Sequence, residues 1–261
     1  MNSHRFELTS LLFPTYNPGD DLERTWPEVR RFLHEAPGTW EVLYICDGCT
    51  DGSPERLARL TANEPRVRIV SHAPNRGKGY AVRQGLEAAR GRHRIFTDVD
   101  LSYGLDGVLR VAMQLRGGAD VVIGSRTHPE ASFLVPTHLQ DYAFWRRIQS
   151  SCFRLLASRL LPLPYGDTQG GLKGFSERAL DAILPLLRCD GFAIDCEILS
   201  ACEHCRLSVV EVPVCFHYRD TTTVNLKKTL RMVRDLRSIR RQFRALPSFS
   251  AAVPMQPRRA A

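Results

Sequence analysis

The chain reads as an α/β protein built on a mostly parallel sheet flanked by helices, on three observations. Apolar runs of strand length alternate with helical stretches in the order β-α-β-α-β-α-β-α-β. The run Glu41–Ile45 (EVLYI) is nearly continuous in apolar residues, as strands buried on both faces are. And 261 residues, 43% hydrophobic and 25% charged, suffice to bury a sizeable core.

In order, the expected strands are Leu8–Phe13, Trp40–Ile45, Val67–Ser71, Arg94–Thr97, Val121–Ile123 and Val209–Phe216. The expected helices are Asp20–Glu35, Pro54–Ala62, Gly77–Ala89, Gly104–Leu115, Gln140–Leu160, Ser176–Leu187, Ile194–Glu203 and Asn225–Leu246. Residues 1–220 form one unit, 221–246 a basic amphipathic helix, and 247–261 a Pro-, Ser- and Ala-rich tail expected to be disordered. No internal repeat is visible.

No run approaches about 18 apolar residues, so no membrane span is expected. The N-terminus lacks the apolar core of a secretory signal, which makes the cytoplasm the expected compartment. Eight cysteines in a chain this long are no disulfide scaffold, and Cys152 and Cys215 sit in apolar runs as core residues. A net charge of +8 asks for an anionic partner: nucleic acid, nucleotide phosphates or an acidic membrane face.

Ligands of open parallel sheets bind outside the carboxyl ends of the strands. Here five such ends carry polar, charged or Gly residues: PTYN (Pro14–Asn17), CDGCTD (Cys46–Asp51), NRGKG (Asn75–Gly79), TDVD (Thr97–Asp100) and GSR (Gly124–Arg126). Alternation in an extended segment puts Asp98 and Asp100 on one side, a half-shell for Mg²⁺ or Mn²⁺ completed by substrate phosphates. The competing reading is a solvated acidic loop. Gly77 and Gly79 permit close approach, Lys78 adds charge, and the following helix N-terminus favours anions; the alternative is an ordinary helix start. Neither the dinucleotide nor the P-loop fingerprint fits. Cys46 and Cys49 form a C-x-x-C pair, the spacing of a redox site or half a zinc site.

Taken together, PTYN, DGCTDGS, NRGKGYAVRQG, TDVDLS and GSR resemble glycosyltransferase family 2 with the GT-A (Rossmann-like) fold. GDTQGGLKGF (Gly166–Phe175) and GFAIDCEIL (Gly191–Leu199) resemble the dolichyl-phosphate and polyprenyl-phosphate sugar transferases, the glucosyltransferase branch most of all. The likeness covers about Leu8 to Tyr218. Each motif alone is weak; the ordered set is specific. It implies that 1–220 is a catalytic domain. Pro14, Tyr16, Asn17 and Asp47 then hold base and ribose, with Gly77, Lys78 and Asp98 completing the donor site. Asp98 and Asp100 contact the diphosphate through the metal. Arg126 and Lys173 face the diphosphate or an anionic acceptor, and Asp167 faces sugar and acceptor. Cys46 stands where the family has an acid and Cys49 where it has a serine. Ser102 occupies the position of a further ligand. The family's QCGFK is QGGLK here, two changes that read as conservative for a turn.

The implied chemistry is inverting transfer of a sugar, glucose favoured, from a nucleotide sugar to a polyprenyl-phosphate-type carrier. A phosphate acceptor is already ionised and needs positioning. A hydroxyl acceptor needs a base, Asp167 first, with Asp195 and Glu197 behind it. Asp195 and Glu197, two apart on a helix, lie on different faces. UDP-glucose is the favoured donor and GDP-mannose the alternative.

In the last helix, Leu226, Leu230, Val233, Leu236, Ile239, Phe243 and Leu246 recur at helical spacing among Lys and Arg. That is the make-up of an interfacial membrane segment, or of a terminal helix packed on the body with a solvated basic face. A peripheral position at the inner face of the membrane follows from the first reading. Asp141–Leu161 has similar character. No nucleic-acid-binding signature accompanies the charge. The alternatives are a soluble family 2 enzyme with a small-molecule or polymer acceptor, a nucleotide-sugar-binding module without catalysis, and a zinc protein built on Cys46/Cys49 and Cys202/Cys205.

Overall fold

β1 (Leu8–Thr15) and β2 (Thr39–Asp47) are neighbours in the sheet, paired in parallel from Leu8 opposite Thr39 to Thr15 opposite Cys46. This computed structural model describes residues 7–140, 155, 157–218 and 226–247. β3 (Val67–His72), β4 (His93–Phe96), β5 (Val121–Ser125), β7 (Lys173–Ser176) and β8 (Val209–Pro213) complete a seven-stranded sheet in the order β3-β2-β1-β4-β7-β5-β8. β6 (Ser132–Leu134) and β9 (Cys215–His217) make a separate parallel pair.

The pleat sorts the core into two layers. Leu11, Phe13, Val42, Tyr44 and Cys46 meet α1 (Asp21–Glu35), α2 (Ser53–Thr61) and α4 (Gly104–Arg116) on one face. Leu12, Leu43 and Ile45 meet α3 (Lys78–Ala88), α5 (Glu177–Ile183) and α6 (Ile194–His204) on the other. Because successive side chains alternate, strands buried on both faces must be apolar throughout, as EVLYI is.

Three expectations change. The Val209–Phe216 run breaks at Val214 into β8 and β9, which join different sheets. The Ser176–Leu187 helix ends at Ile183 and tightens into a 3₁₀ turn over Leu184–Leu186, where Pro185 cannot supply the next helical N–H. And β7, only four residues long, slots between β4 and β5 antiparallel to both. KGFS offers no apolar run to announce it. Most of the expected helix Gln140–Leu160 lies outside the described residues.

The last helix, α7 (Leu226–Ala245), buries Leu236 and Ile239 against Ala157, Leu161, Ala193 and Cys196. Leu236 and Ile239 are therefore covered by α6 and the segment around residues 157–161, as the reading of a terminal helix packed on the body requires. Arg231, Arg234, Arg237, Arg241 and Arg244 stay exposed. No helix among the described residues is long and apolar enough to cross a membrane.

Candidate active site

β1, β2, β4 and β5 run parallel and deliver their carboxyl ends to one edge. Pro14 lies in β1 opposite Ile45. Just beyond, Asn17 ties the first two strand ends together: its Oδ1 accepts from Thr50 N at 2.8 Å and its Nδ2 donates to Thr50 Oγ1 at 3.1 Å. Tyr16 beside it is 53% exposed, an aromatic face at the rim of the site.

Cys46 and Asp47 are adjacent and point to opposite faces. Cys46 joins the core under α1 and α2, where burial pushes its thiol up to about 12. Cys202 and Cys205 belong to the other layer, so the sheet separates the two cysteine pairs and the zinc reading fails. The Asp47 carboxylate is buried and full. Its Oδ1 accepts from Arg76 N at 2.8 Å and His72 Nε2 at 2.7 Å; its Oδ2 accepts from Gly77 N at 2.7 Å and Asn75 Nδ2 at 2.9 Å. The expected contact of this carboxylate with base or ribose is corrected: it organises the loop between β3 and α3.

The start of α3 brings a second correction. Gly79 N and Tyr80 N donate to Asp190 O at 2.9 and 3.4 Å. With Gly77 N held by Asp47, these N–H groups are spent on the protein rather than on a phosphate. The glycines do permit close approach, but of chain to chain. A Cβ on Gly77 would lie 2.3 Å from Asp190 O, and one on Gly79 2.1 Å from Cys189 O. Glu197 secures the same loop by accepting from Arg188 N at 3.0 Å and Cys189 N at 2.8 Å. It and Asp195 do face different ways.

Beyond β4 the chain turns at once. Leu101 N donates to Asp98 O at 3.1 Å and Leu101 has φ +54°, so Asp98 and Asp100 are set by a turn and not by strand alternation. Lys78 Nζ lies 3.0 Å from Asp98 Oδ1 and 3.7 Å from Asp195 Oδ2. Desolvation pushes the Asp98 carboxyl above its ordinary range against the pull of Lys78, and neighbouring Asp100 adds to the rise. Burial works against the Lys78 ammonium, yet Asp98 and Asp195 hold its pKa above the ordinary value. Asp100 accepts from Ser102 N at 2.9 Å and Ser102 Oγ at 2.6 Å, so Ser102 steadies that carboxylate. Two carboxylates form an all-oxygen donor set suited to a hard divalent ion, with phosphate oxygens needed to complete it.

Lys173 is wholly buried in β7. Its Nζ donates to Gly170 O at 2.5 Å and Asp195 Oδ1 at 2.7 Å. The expectation that it faces an anionic ligand is corrected, because the ammonium lies inside the sheet with both bonds turned inward. Asp167 is corrected as a base. It has no solvent exposure and accepts from Arg126 N at 3.0 Å, Nε at 2.7 Å and Nη2 at 2.9 Å. Burial opposes its charge, but Arg126 wins and holds the carboxyl below the ordinary range. Arg126, partly exposed, is thereby aimed, with its guanidinium 5.9 Å from the Tyr103 ring centroid and 5.4 Å from that of Phe216.

Tyr103 carried no sequence signal. Tyr103 Oη accepts from Gly171 N at 2.8 Å, and a Cβ on Gly171 would stand 2.1 Å from Asp98 Oδ2. Gly170 is no neutral replacement for cysteine: a Cβ there would lie 2.6 Å from Gly124 O. Gln169 Nε2 is buried without a partner in the same loop. A cavity of about 360 Å³ opens beside Tyr103, lined by Gly104, Asp106, Glu130 and His217 among others; Asp98 and Asp100 are not in its wall.

The family model for glycosyl transferase family 2 matches residues 10–184. The dolichyl-phosphate beta-glucosyltransferase of Saccharomyces cerevisiae is 28% identical over 92% of this chain and 77% of its own length. The enzyme of that name from Dictyostelium discoideum is 26% identical over 88% of this chain and 73% of its own. Among solved structures, glucosyl-3-phosphoglycerate synthase from Mycobacterium tuberculosis, in complex with Mn²⁺, UDP-glucose and phosphoglyceric acid, superposes with a TM-score of 0.65. It covers 95% of this chain and 83% of its own at 17% identity, a likeness of fold. The family match takes in more than half of the chain and all five of the polar strand ends, from Pro14 to Arg126. The chain belongs to glycosyltransferase family 2 and is a nucleotide-sugar-dependent glycosyltransferase.

Proposed function

We propose that this enzyme transfers a sugar, glucose in preference to mannose, from a UDP-sugar to a lipid phosphate of the polyprenyl type, with inversion and with Mg²⁺ or Mn²⁺ at Asp98 and Asp100. One observation carries the choice of acceptor. Every carboxylate considered as a base is already held: Asp167 by Arg126, Glu197 by two backbone N–H groups, and the buried Asp195 by Lys173 through one oxygen, with its other oxygen facing Lys78. A hydroxyl acceptor would need one of them free. A phosphate is ionised near neutral pH and needs only positioning and charge balance. Arg126, fixed in direction and partly open to solvent, supplies both. The names of the yeast and Dictyostelium relatives support the same acceptor class.

The steps then follow from the residues. Tyr16 offers a face for the base, and Asn17 keeps its strand end in place. Asp98 and Asp100, with Ser102 steadying the second, would hold a divalent ion, which would supply charge neutralisation to the departing diphosphate. Arg126 holds the attacking phosphate in line, oriented through Asp167. The exposed arginines of α7 suit an anionic membrane face at which such an acceptor resides.

Release of UDP from UDP-glucose, measured with and without a short polyprenyl phosphate, tests this reading. Turnover that depends on the lipid phosphate is expected. Turnover on a soluble hydroxyl acceptor with none on lipid phosphate would replace it with the soluble-acceptor reading.

A further inference from the structure

Four charges form an unbroken line under the site: Asp98, Lys78, Asp195 and Lys173. The inner half is fixed. Lys173 is wholly buried, with one bond to Gly170 O and one to Asp195 Oδ1. Asp195, 4% exposed in the first turn of α6, keeps that oxygen committed. Its other oxygen faces Lys78 at 3.7 Å, too far for a hydrogen bond. Lys78 therefore has two carboxylates within reach and is bonded to one, Asp98, at 3.0 Å.

The outer carboxylate is the one a divalent ion would use. An ammonium and a divalent cation compete for it, since like charges at such separations repel strongly away from bulk water. A lysine can change partner without backbone motion, because its charge is a point on a flexible stem.

We propose that Lys78 is a resident counterion for Asp98 that yields this carboxylate to the divalent cation by moving onto the waiting oxygen of Asp195. The device keeps Asp98 charge-balanced while the donor site is empty, and it stores a place for the displaced ammonium. This inference rests on the metal-dependent reading above, and it makes Asp195 a positioning residue rather than a base.

The two ends of the switch predict opposite effects on ion binding. Mn²⁺ affinity is measured by electron paramagnetic resonance at pH 8, with no nucleotide present, so that catalysis plays no part. Lys78→Met should bind Mn²⁺ about tenfold more tightly than the parent, because the competitor is gone. Asp195→Asn should bind it about threefold more weakly, because Lys78 has nowhere else to go. Asp195→Asn leaves Lys173 buried and unpaired, so the double variant Asp195→Asn/Lys173→Met, neutral at both positions, is measured beside it and should show the same weakening. Unchanged or weaker Mn²⁺ binding in Lys78→Met overturns the proposal, as does tighter binding in the folded double variant. A parent enzyme that binds Mn²⁺ yet turns over no nucleotide sugar would instead overturn the proposed function while leaving the switch intact.

Discussion

Asp167 grips Arg126 at three points, through the backbone N–H and through Nε and Nη2 on one edge of the guanidinium, while itself having no contact with solvent. A buried carboxylate used this way fixes a direction. Asp167→Asn should reduce turnover about 100-fold, the scale of a misplaced catalytic group. In a double-mutant cycle, Arg126→Ala/Asp167→Asn should be no slower than Arg126→Ala alone. Additive losses would mean that Asp167 acts on substrate directly.

The same pair predicts an acid limb. Arg126 holds the Asp167 carboxyl below its unfolded value of about 3.9. Its contribution to stability is thus complete above that pH and is lost as pH falls through the folded pKa. Urea midpoints of the parent should drop on acidification below about pH 4, and Asp167→Asn should show a shallower drop. An identical slope in the two proteins would remove Asp167 from the acid transition.

Asp47 and Cys46, neighbours in sequence, should respond differently to substitution. Asp47→Ala leaves four donors around a vacated carboxylate and should cost about 3 kcal/mol of stability along with donor binding. Cys46→Ser should cost about 1–2 kcal/mol by placing a hydroxyl in an apolar layer, with donor KM within about twofold. Calorimetric unfolding and donor titration separate the two. A large KM change in Cys46→Ser at unchanged stability would put that side chain in the site after all.

Gly79→Ala tests the junction of α3 with the 188–190 loop. The added methyl meets a backbone oxygen that cannot rotate away, so a loss of about 1–3 kcal/mol is expected by urea titration. An alanine variant as stable as the parent would show that the loop moves freely.

Leu236 and Ile239 of α7 pack against the body, while its arginines stay exposed, so charge is what this helix offers a membrane. Arg231→Gln/Arg234→Gln/Arg237→Gln should weaken co-sedimentation with anionic vesicles on the order of 100-fold, at ~1 kcal/mol per charge. Raised salt should do the same, and neutral vesicles should not bind. Salt-insensitive binding would point to insertion of apolar side chains.

What the sequence made legible follows the range of the interaction. The strand ends and helix spans were readable because alternation and helical spacing are local, and the five polar ends converged on one edge because parallel strands must place them there. What escaped was who pairs with whom. Asp47 reads as an exposed acidic turn until His72 and Asn75 are brought to it from another strand end. Lys173 reads as a ligand-facing cation until β7 is placed between two strands it follows by some 50 and 75 positions. Asp167 reads as a free acid until Arg126 arrives across 41 residues. Ion pairs between distant segments leave no periodic trace.

The position of β7 also sets an order of assembly. β4 and β5 belong to the first half of the chain, yet neither touches the other; each is bonded to a strand that begins at Lys173. Until that segment leaves the ribosome, both present open backbone edges, and closure must wait for contacts of long sequence separation. A nascent or truncated chain ending before residue 173 would leave one edge of β4 and both edges of β5 open at once, since β8 follows later still, and such a chain should be prone to aggregation.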